Sequence, residues 1–521
     1  MSEFEKDSLK KKYIYKFFAN LISLVSGFIV QAIVPRALGP KSYGDFNFLT
    51  NFFAEVMSFL DIGTSSCFYT KLSHRQRESG LVTFYLYFSV FIGLVAVGSV
   101  ALAHSTSIYT KIWPAQDLFY IYLGAFFGIL TWLAYQVLNN MVDAYGITVY
   151  AEKIKIIQKV IAVTLISALF IWGRLSLRNF FYYNYIILVF IIAAFIWISR
   201  QTKYLNIEKL RLSFKEIKKY VNEFYLYSHP LFLYSLVGMA AGIFDRWILQ
   251  IYGGSVQQGF FGFSYQIWIF CLLFSGAMTP LLTREFSIAF ANKDLTHMGN
   301  LFRRYVPLFY SLTAYFSCFI AIQASKVIHI LGGNDYKGAT MALTIMALCP
   351  IHQTYGQLSG SVFLAAGKTK LYRNIGITFM LIGLPLAYIL IAPKMKIGLD
   401  MGASGLAIKI ALLQFIAVNV QLYFNAKLLK LSFWKFLAHQ IVNLVSLLTL
   451  AFFTAFLIDN ALGAYLGIIP RFVLSGILYT LIVFSLLYLL PIIFGLKKHD
   501  LHKIVQILRN KLKLDPEGGN K

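Results

Sequence analysis

Apolar runs of about twenty residues recur from one end of the chain to the other, separated by short polar stretches. Each is long enough for an α-helix to cross a hydrocarbon core of about 30 Å. We read them as helices over roughly 13–34, 43–62, 81–103, 118–140, 154–172, 180–199, 226–251, 259–282, 304–323, 338–364, 374–392, 403–425, 434–457 and 471–494. With 58% hydrophobic and 13% charged residues, a chain of this length cannot present a water-soluble surface. Period-two alternation is weak, which argues against a membrane β-barrel. The expected fold is an all-α membrane protein of about fourteen transmembrane helices.

The net charge of +25 invites a nucleic-acid reading, but that needs basic residues gathered on a soluble face. Here they lie between apolar runs. With a cytoplasmic N-terminus, 33 of the 47 lysines and arginines fall on inward segments, while outward loops hold 10 and the helices 4. This is the asymmetry of the positive-inside rule. It predicts a multi-pass membrane protein with both termini cytoplasmic and no nucleic-acid partner. Most of the charge then reports topology and attraction to anionic membrane lipid.

The longest polar stretches, 200–225, 283–303 and 495–521, all fall inside, and no outward loop exceeds about fifteen residues. In the tail, Leu501, Ile504, Val505, Leu508 and Leu512 recur at helical spacing beside Lys503, Arg509, Lys511 and Lys513, as in an amphipathic helix on the inner leaflet; a solvated tail fits equally. Cys67, Cys271, Cys318 and Cys349 lack paired or metal-site spacing, so neither a disulfide framework nor a metal site is expected. The charged first twelve residues and long first apolar run carry no small-residue cleavage site, so no cleaved signal peptide is expected.

An internal repeat organises the rest. Gly39-x4-Gly44-x-Phe46-x-Phe48 recurs as Gly254-x4-Gly259-x-Phe261-x-Phe263, an offset of 215 residues. The same offset sets Asn20, Ser23, Gly27 and Gln31 on Ser235, Gly238, Gly242 and Arg246, each set climbing one helical face. Gly146-x-Thr148 with Ile154 matches Gly367-x-Thr369 with Ile375 at offset 221. Two pseudo-symmetric six-helix lobes follow, 1–212 and 213–425, around a central cavity. Helices 13 and 14 over 426–494 and the basic tail 495–521 are appended.

Charges inside spans each cost roughly 2.5–3.5 kcal/mol at a helix centre and demand a reason. Arg246 lies on the small, polar face Ser235, Gly238, Gly242, Arg246, Gln250, which suits a cavity better than lipid. Lys409 is two turns inside the outer end of helix 12, too deep for easy escape to the outer surface. Lys159, near the start of helix 5, either lines the cavity or snorkels to water. Arg36 lines the outer mouth or caps helix 1, and Asp245 is a cavity group or a counter-ion. Glu55, Gln31 and Gln250 complete the candidates for cavity lining. Aromatic residues make up 17% of the chain, among them Tyr265, Trp268, Tyr310, Tyr315 and Tyr355; interface belts and packing account for most. Gly367-Lys368-Thr369 looks like the end of a phosphate-binding loop. It lacks the first glycine, where Val362 stands, and the preceding strand.

The chain resembles the Wzx-type polysaccharide and O-antigen flippases, within the multidrug, oligosaccharidyl-lipid and polysaccharide exporter superfamily. The resemblance rests on Arg36-Ala-Leu-Gly39-Pro-x-x-Tyr43-Gly44, Pro230, Asp245-Arg246 with Tyr252-Gly253 and Gly259-x-Phe261. It also rests on Leu331-Gly-Gly-x-x-Tyr336-x-x-Ala339, Leu364-Ala-Ala-Gly367-Lys-Thr369 and Gly402-Ala-Ser-Gly405-x-Ala407. It implies no enzymatic activity but alternating-access export of an undecaprenyl-diphosphate-linked oligosaccharide from the inner to the outer leaflet, with Arg246 and Lys409 matching basic cavity positions on helices 7 and 12. It further implies polysaccharide polymerase and chain-length machinery as partners. No cofactor is expected beyond coupling to H+ or Na+, or to the membrane potential alone. A cation-coupled multidrug extruder of the same superfamily is the nearest rival, kept open by Glu55 and Asp245. A glycan polymerase or ligase is the rival from another class, and it would need a large outward catalytic loop.

Overall fold

A lipid environment leaves backbone amides no partner but each other, so helices are the economical way for one chain to cross it. The computed structural model describes residues 9–75, 78–201, 211–229 and 232–496, with the side chains of 9–21, 148, 273, 274, 276 and 277 outside the description. Among the described residues helix is the only regular structure, and the protein is a multi-pass, all-α membrane protein. The expected tail helix and Pro230 lie outside the described residues.

In chain order the helices are α1 (Leu9–Asp61), α2 (Thr64–His74), α3 (Ser79–Ser105), α4 (Leu118–Ala144), α5 (Thr148–Ile171), α6 (Leu177–Gln201), α7 (Phe214–Ser228) and α8 (Phe232–Cys271). There follow α9 (Leu273–Ala291), α10 (Leu295–Ile322), α11 (Ala324–Leu331), α12 (Thr340–Ala365), α13 (Thr369–Ile391), α14 (Gly402–Leu428), α15 (Phe433–Leu462) and α16 (Ile468–Leu489). Eleven stretches among the described residues are long and apolar enough to cross a membrane, and two of these, in α1 and α8, run to 40 residues each. Both long helices are broken by a glycine. Divided there, and with α9 and α12 included, they make fifteen pieces that fall on the fourteen expected segments, the end of α8 and the start of α9 sharing 259–282.

The breaks carry the repeat into three dimensions. Gly39 has φ 69°, ψ 169° and Gly254 has φ 66°, ψ −173°, the same left-handed extended conformation at positions 215 residues apart. Only glycine adopts it without penalty. The second pair agrees as closely. Gly146 (φ 80°) and Gly367 (φ 66°) end their helices alike: Ile147 N–H donates to Val142 O (3.3 Å) as Lys368 N–H does to Phe363 O (2.8 Å). Each is a Schellman ending with glycine at the left-handed position.

The chain forms two compact units, residues 1–262 with 380–403 and residues 263–379 with 404–521. In the first, Phe68, Tyr85, Trp132 and Phe195 lie in one core, while Phe48, Phe53, Trp113 and Ile121 form another. In the second, Phe286, Phe302, Tyr310, Tyr355 and Tyr479 form the centre. Outward faces remain apolar: Val90, Leu94 and Leu102 of α3, and Val445, Phe452 and Phe456 of α15, are exposed. Lipid is what such faces meet. All four cysteines are buried as free thiols.

Two stretches expected as polar connections are helices. Residues 64–74 form α2 because Asp61 accepts bonds from the Ser65 amide (3.0 Å) and the Thr64 and Ser65 hydroxyls (2.8 and 2.7 Å), capping its first turn. Within 200–225, residues 214–228 form α7, opened by a reciprocal capping box between Ser213 and Glu216. Of helix 7 of the sequence reading, 226–251, residues 226–228 belong instead to α7, and the described part of the next helix runs from Phe232.

A charge clamp fastens α7. Arg75 Nη2 donates to Glu223 (2.6 Å) and Nη1 to Glu78 (3.1 Å), while Tyr220 Oη donates to Glu78 (2.8 Å). Burial opposes ionisation of both carboxyls. The hydrogen bond from Tyr220 and the Arg75 charge nevertheless hold Glu78 below its ordinary value, and the hydrogen bond from Arg75 does the same for Glu223. A depressed carboxyl contributes stability that is present above its unfolded pKa and is lost as pH falls through the folded one. Amide protection over 214–228, taken relative to intrinsic exchange at each pH, is therefore expected to stay flat from pH 8 to 5 and to fall only below about pH 4. At pH 7, Glu223→Gln should lower it by a few-fold, the scale of partly exposed ion pairs. Unchanged exchange in that variant would show that the clamp does not hold the helix.

Candidate functional site

The two broken helices meet within the first unit. A Cβ on Gly44 would lie 1.7 Å from the carbonyl oxygen of Ser255, and one on Gly259 would lie 2.0 Å from that of Pro40. Shifted by 215 residues, Gly44 becomes Gly259 and Pro40 becomes Ser255, so each repeat makes the same contact on the other. Backbones touch here because no side chain intervenes.

Each kink is bridged by a side-chain bond spanning twelve residues. In α1, Tyr43 Oη donates to Gln31 Oε1 at 3.2 Å. In α8, Arg246 Nη1 donates to Gln258 Oε1, also at 3.2 Å. Gln31 corresponds to Arg246 and Tyr43 to Gln258 under the same offset. Gln258 Nε2 donates back to the Arg246 carbonyl, and the Phe261 ring centroid lies 4.4 Å from Arg246 Cζ. The guanidinium is thus fixed by an amide on one side and an aromatic face on the other, with 6% of the residue exposed.

Two carboxylates share its surroundings. Glu55, from the second half of α1, packs its carboxylate carbon 2.7 Å from where a Gly242 Cβ would stand, one turn before Arg246. Arg246 and Asp245 are the charges that act on it. Among the described residues Glu55 makes no hydrogen bond or ion pair. Glycine at 242 is what admits it.

A further polar cluster lies on the same pair of helices. Asp45 accepts from Gln116 Nε2 (2.6 Å) and from the Ser255 hydroxyl, and Ser255 in turn accepts from Gln250 Nε2 (3.1 Å). Gln250 also donates to Pro114 O at 3.1 Å. Asp45 of one repeat is thereby tied to Ser255 of the other beside the glycine crossing.

Of the residues singled out in the sequence, the structure brings Arg246, Asp245 and Glu55 together, with Gln31 and Gln250 held on the same two helices. Arg36 is exposed on α1 just before its break. Lys159 is half-buried on α5 and, among the described residues, makes no hydrogen bond or ion pair. Lys409 belongs to the second unit, on α14, where it is 7% exposed. Sequence reasoning missed Tyr43, Asp45, Gln116, Ser255 and Gln258. The repeat could have found Gln258 and Tyr43, since both stand twelve residues after residues already matched; Gln116 lies in a connection without any such register.

No protein-family model and no curated protein matches the chain. Solved structures do match in fold. An inward-facing multidrug resistance MATE family transporter of the MOP superfamily superposes with TM-score 0.62 at 15% identity, over 79% of this chain and 94% of the other. The lipid II flippase MurJ in an inward closed conformation superposes with TM-score 0.65 at 12% identity, over 92% and 98%. A MOP superfamily transporter from Pyrococcus furiosus, described as having a binding pocket of reverse polarity, matches with TM-score 0.51 at 14% identity, over 81% and 94%. The chain has the fold shared by these MATE and MurJ transporters.

The glycine crossing yields a direct expectation. Gly44→Ala and Gly259→Ala should each destabilise the purified protein by about 1–3 kcal/mol or more, the scale of overpacking a closed contact. Gly98→Ala, at a helical glycine with open space around it, should be neutral or slightly stabilising. Thermal melting in detergent reads all three, and equal midpoints would show that the crossing is not close in the native protein.

Proposed function

We propose that this protein is a flippase that carries an undecaprenyl-diphosphate-linked oligosaccharide from the cytoplasmic to the outer leaflet of the inner membrane by alternating access. The observation that carries this reading is the investment in one buried cation. Arg246 stands in a membrane span with its guanidinium fixed by Gln258 and Phe261, and a charge kept at such cost in a span points to a functional role. Fold likeness to a lipid II flippase and the Wzx-like motifs support the same class. The cargo fits physically. Its diphosphate carries about two negative charges, its sugars are barred from hydrocarbon, and its tail never has to leave lipid. Outward movement of anions across an inside-negative membrane is favourable by about 2.3 kcal/mol per charge per 100 mV.

In this reading the lobes 1–212 and 213–425 alternate around the cargo, with Lys409 as a second basic contact and Arg36 and Lys159 along the path. The exported unit passes to polymerase and chain-length machinery. Glu55 and Asp245 have a separate role: two carboxylates beside one guanidinium form a seat for a coupling H+ or Na+, released or bound as Arg246 engages the diphosphate.

Charge-assisted contacts of about 1.5–3 kcal/mol correspond to roughly 10- to 150-fold in affinity. Arg246→Ala and Lys409→Ala should each weaken binding of a polyprenyl-diphosphate sugar at least tenfold, and the double variant should abolish surface glycan at normal protein levels. Undiminished glycan in the double variant would overturn the reading.

The acidic pair also favours a second reading, a cation-coupled extruder of organic cations. Glu55→Gln separates the two. For the flippase it should reduce glycan export and its dependence on an imposed ion gradient while drug tolerance stays unchanged. Loss of drug tolerance with surface glycan intact would favour the extruder.

A further inference from the structure

Helix α7 (Phe214–Ser228) is too short and too charged to span a membrane, yet it leaves an apolar stripe uncovered. Phe214 is 82%, Val221 52% and Tyr225 62% exposed, with Ile217 between them. At 100° per residue these four fall within about 80° of helix surface. The adjoining face turns inward: Tyr220 and Phe224 are buried, their ring centroids 5.3 and 5.4 Å from that of Phe84 on α3.

Between these helices runs a groove of about 400 Å³, with Phe84, Phe88 and Phe91 of α3 on one wall and Ile217, Val221 and Phe224 of α7 on the other. Its lining is almost wholly apolar. Because α3 is itself a candidate span, the groove opens on the bilayer at the end of that helix. Its wall is rigid, since the Arg75, Glu78 and Glu223 clamp fixes α7 from the far flank.

The flanks of the stripe differ in charge. On the clamped side Glu216 is used in the capping box and Glu223 in ion pairs with Arg75 and Lys71. On the free side the wheel sets Lys218 about 100° and Lys215 about 160° from Ile217. Both are exposed, and among the described residues neither makes an ion pair. Arg211 stands just before the helix, also exposed. An apolar slot for a chain, whose open flank carries lysines and no carboxylate among the described residues of α7, has the chemistry of a single anionic amphiphile.

We propose that the groove between α3 and α7 seats one anionic phospholipid, its acyl chain along Phe88, Phe91 and Val221 and its phosphate toward Lys218, with Lys215 farther round the helix adding to the field. The occupant is a membrane phospholipid and not the transported molecule, because the groove is lined from α2, α3 and α7 and by none of the Arg246 cluster on α1 and α8. A lipid held there ties α7, the segment just before α8, to the composition of the surrounding leaflet.

Native mass spectrometry of the full-length protein, released from detergent after titration with phosphatidylglycerol or phosphatidylcholine, tests this. The expected result is one retained phosphatidylglycerol per protein, preferred over phosphatidylcholine by about tenfold. Val221→Trp, which fills the slot, should abolish retention. Lys218→Glu with Lys215→Glu, both on an exposed face where folding is not at stake, should lower it about tenfold. Lys435→Glu, an exposed lysine on α15, should leave it unchanged. Equal retention of both lipids would mean bulk annular lipid only and would overturn the proposal. So would undiminished phosphatidylglycerol retention in the double lysine variant, whether or not Val221→Trp folds.

Discussion

Two polypeptide backbones in contact across Gly44 and Gly259 set the frame for the candidate site. A Cβ at either glycine would fall within 2.0 Å of a carbonyl oxygen on the other repeat, so the two helices can cross this closely only because both positions lack one. The breaks at Gly39 and Gly254 turn each helix into that crossing. The bonds Tyr43–Gln31 and Arg246–Gln258 then span each bend. Arg246 is thus oriented by the same device that shapes the helix around it. Asp45, Ser255, Gln250 and Gln116 add a polar tie beside the contact, where buried hydrogen-bonding groups would otherwise be left costly and unsatisfied.

Charge balance gives the site its character. One guanidinium with two carboxylates nearby is neither a plain anion trap nor a plain cation trap. In low dielectric such a set responds strongly to the arrival of one further charge, because each member's protonation or occupancy depends on the others. In the proposed flippase, a diphosphate approaching Arg246 would be opposed by the charges of Glu55 and Asp245, and a proton or cation loaded on those carboxylates would favour it.

Much of the fold was legible because membrane helices announce themselves by length and hydropathy, and the two helix breaks fall on glycines of a repeated motif. The paired motifs at 39–48 and 254–263 were read as a repeat, and their glycines share one conformation. What escaped was amphipathic or local. α2 and α7 read as polar connections because both are too short and too polar to span a membrane, and the Asp61 bonds and the Ser213–Glu216 box that start them act over only three or four residues. In the site, Arg246, Asp245 and Glu55 were legible as charges in spans. Asp45 was not, although it lies inside the repeated motif, because its partner Gln116 comes from a connection whose position depends on tertiary folding.

In the proposed function a buried arginine serves an anionic lipid-linked sugar. The most direct measurement is translocation of a fluorescent polyprenyl-diphosphate oligosaccharide across proteoliposomes holding the purified protein, followed by loss of fluorescence to a membrane-impermeant quencher. Transport by the native protein, accelerated by an imposed potential that draws anions across and removed in Arg246→Ala, is the predicted result. Translocation that proceeds equally without Arg246, or none at all while an organic cation is carried, would contradict the account.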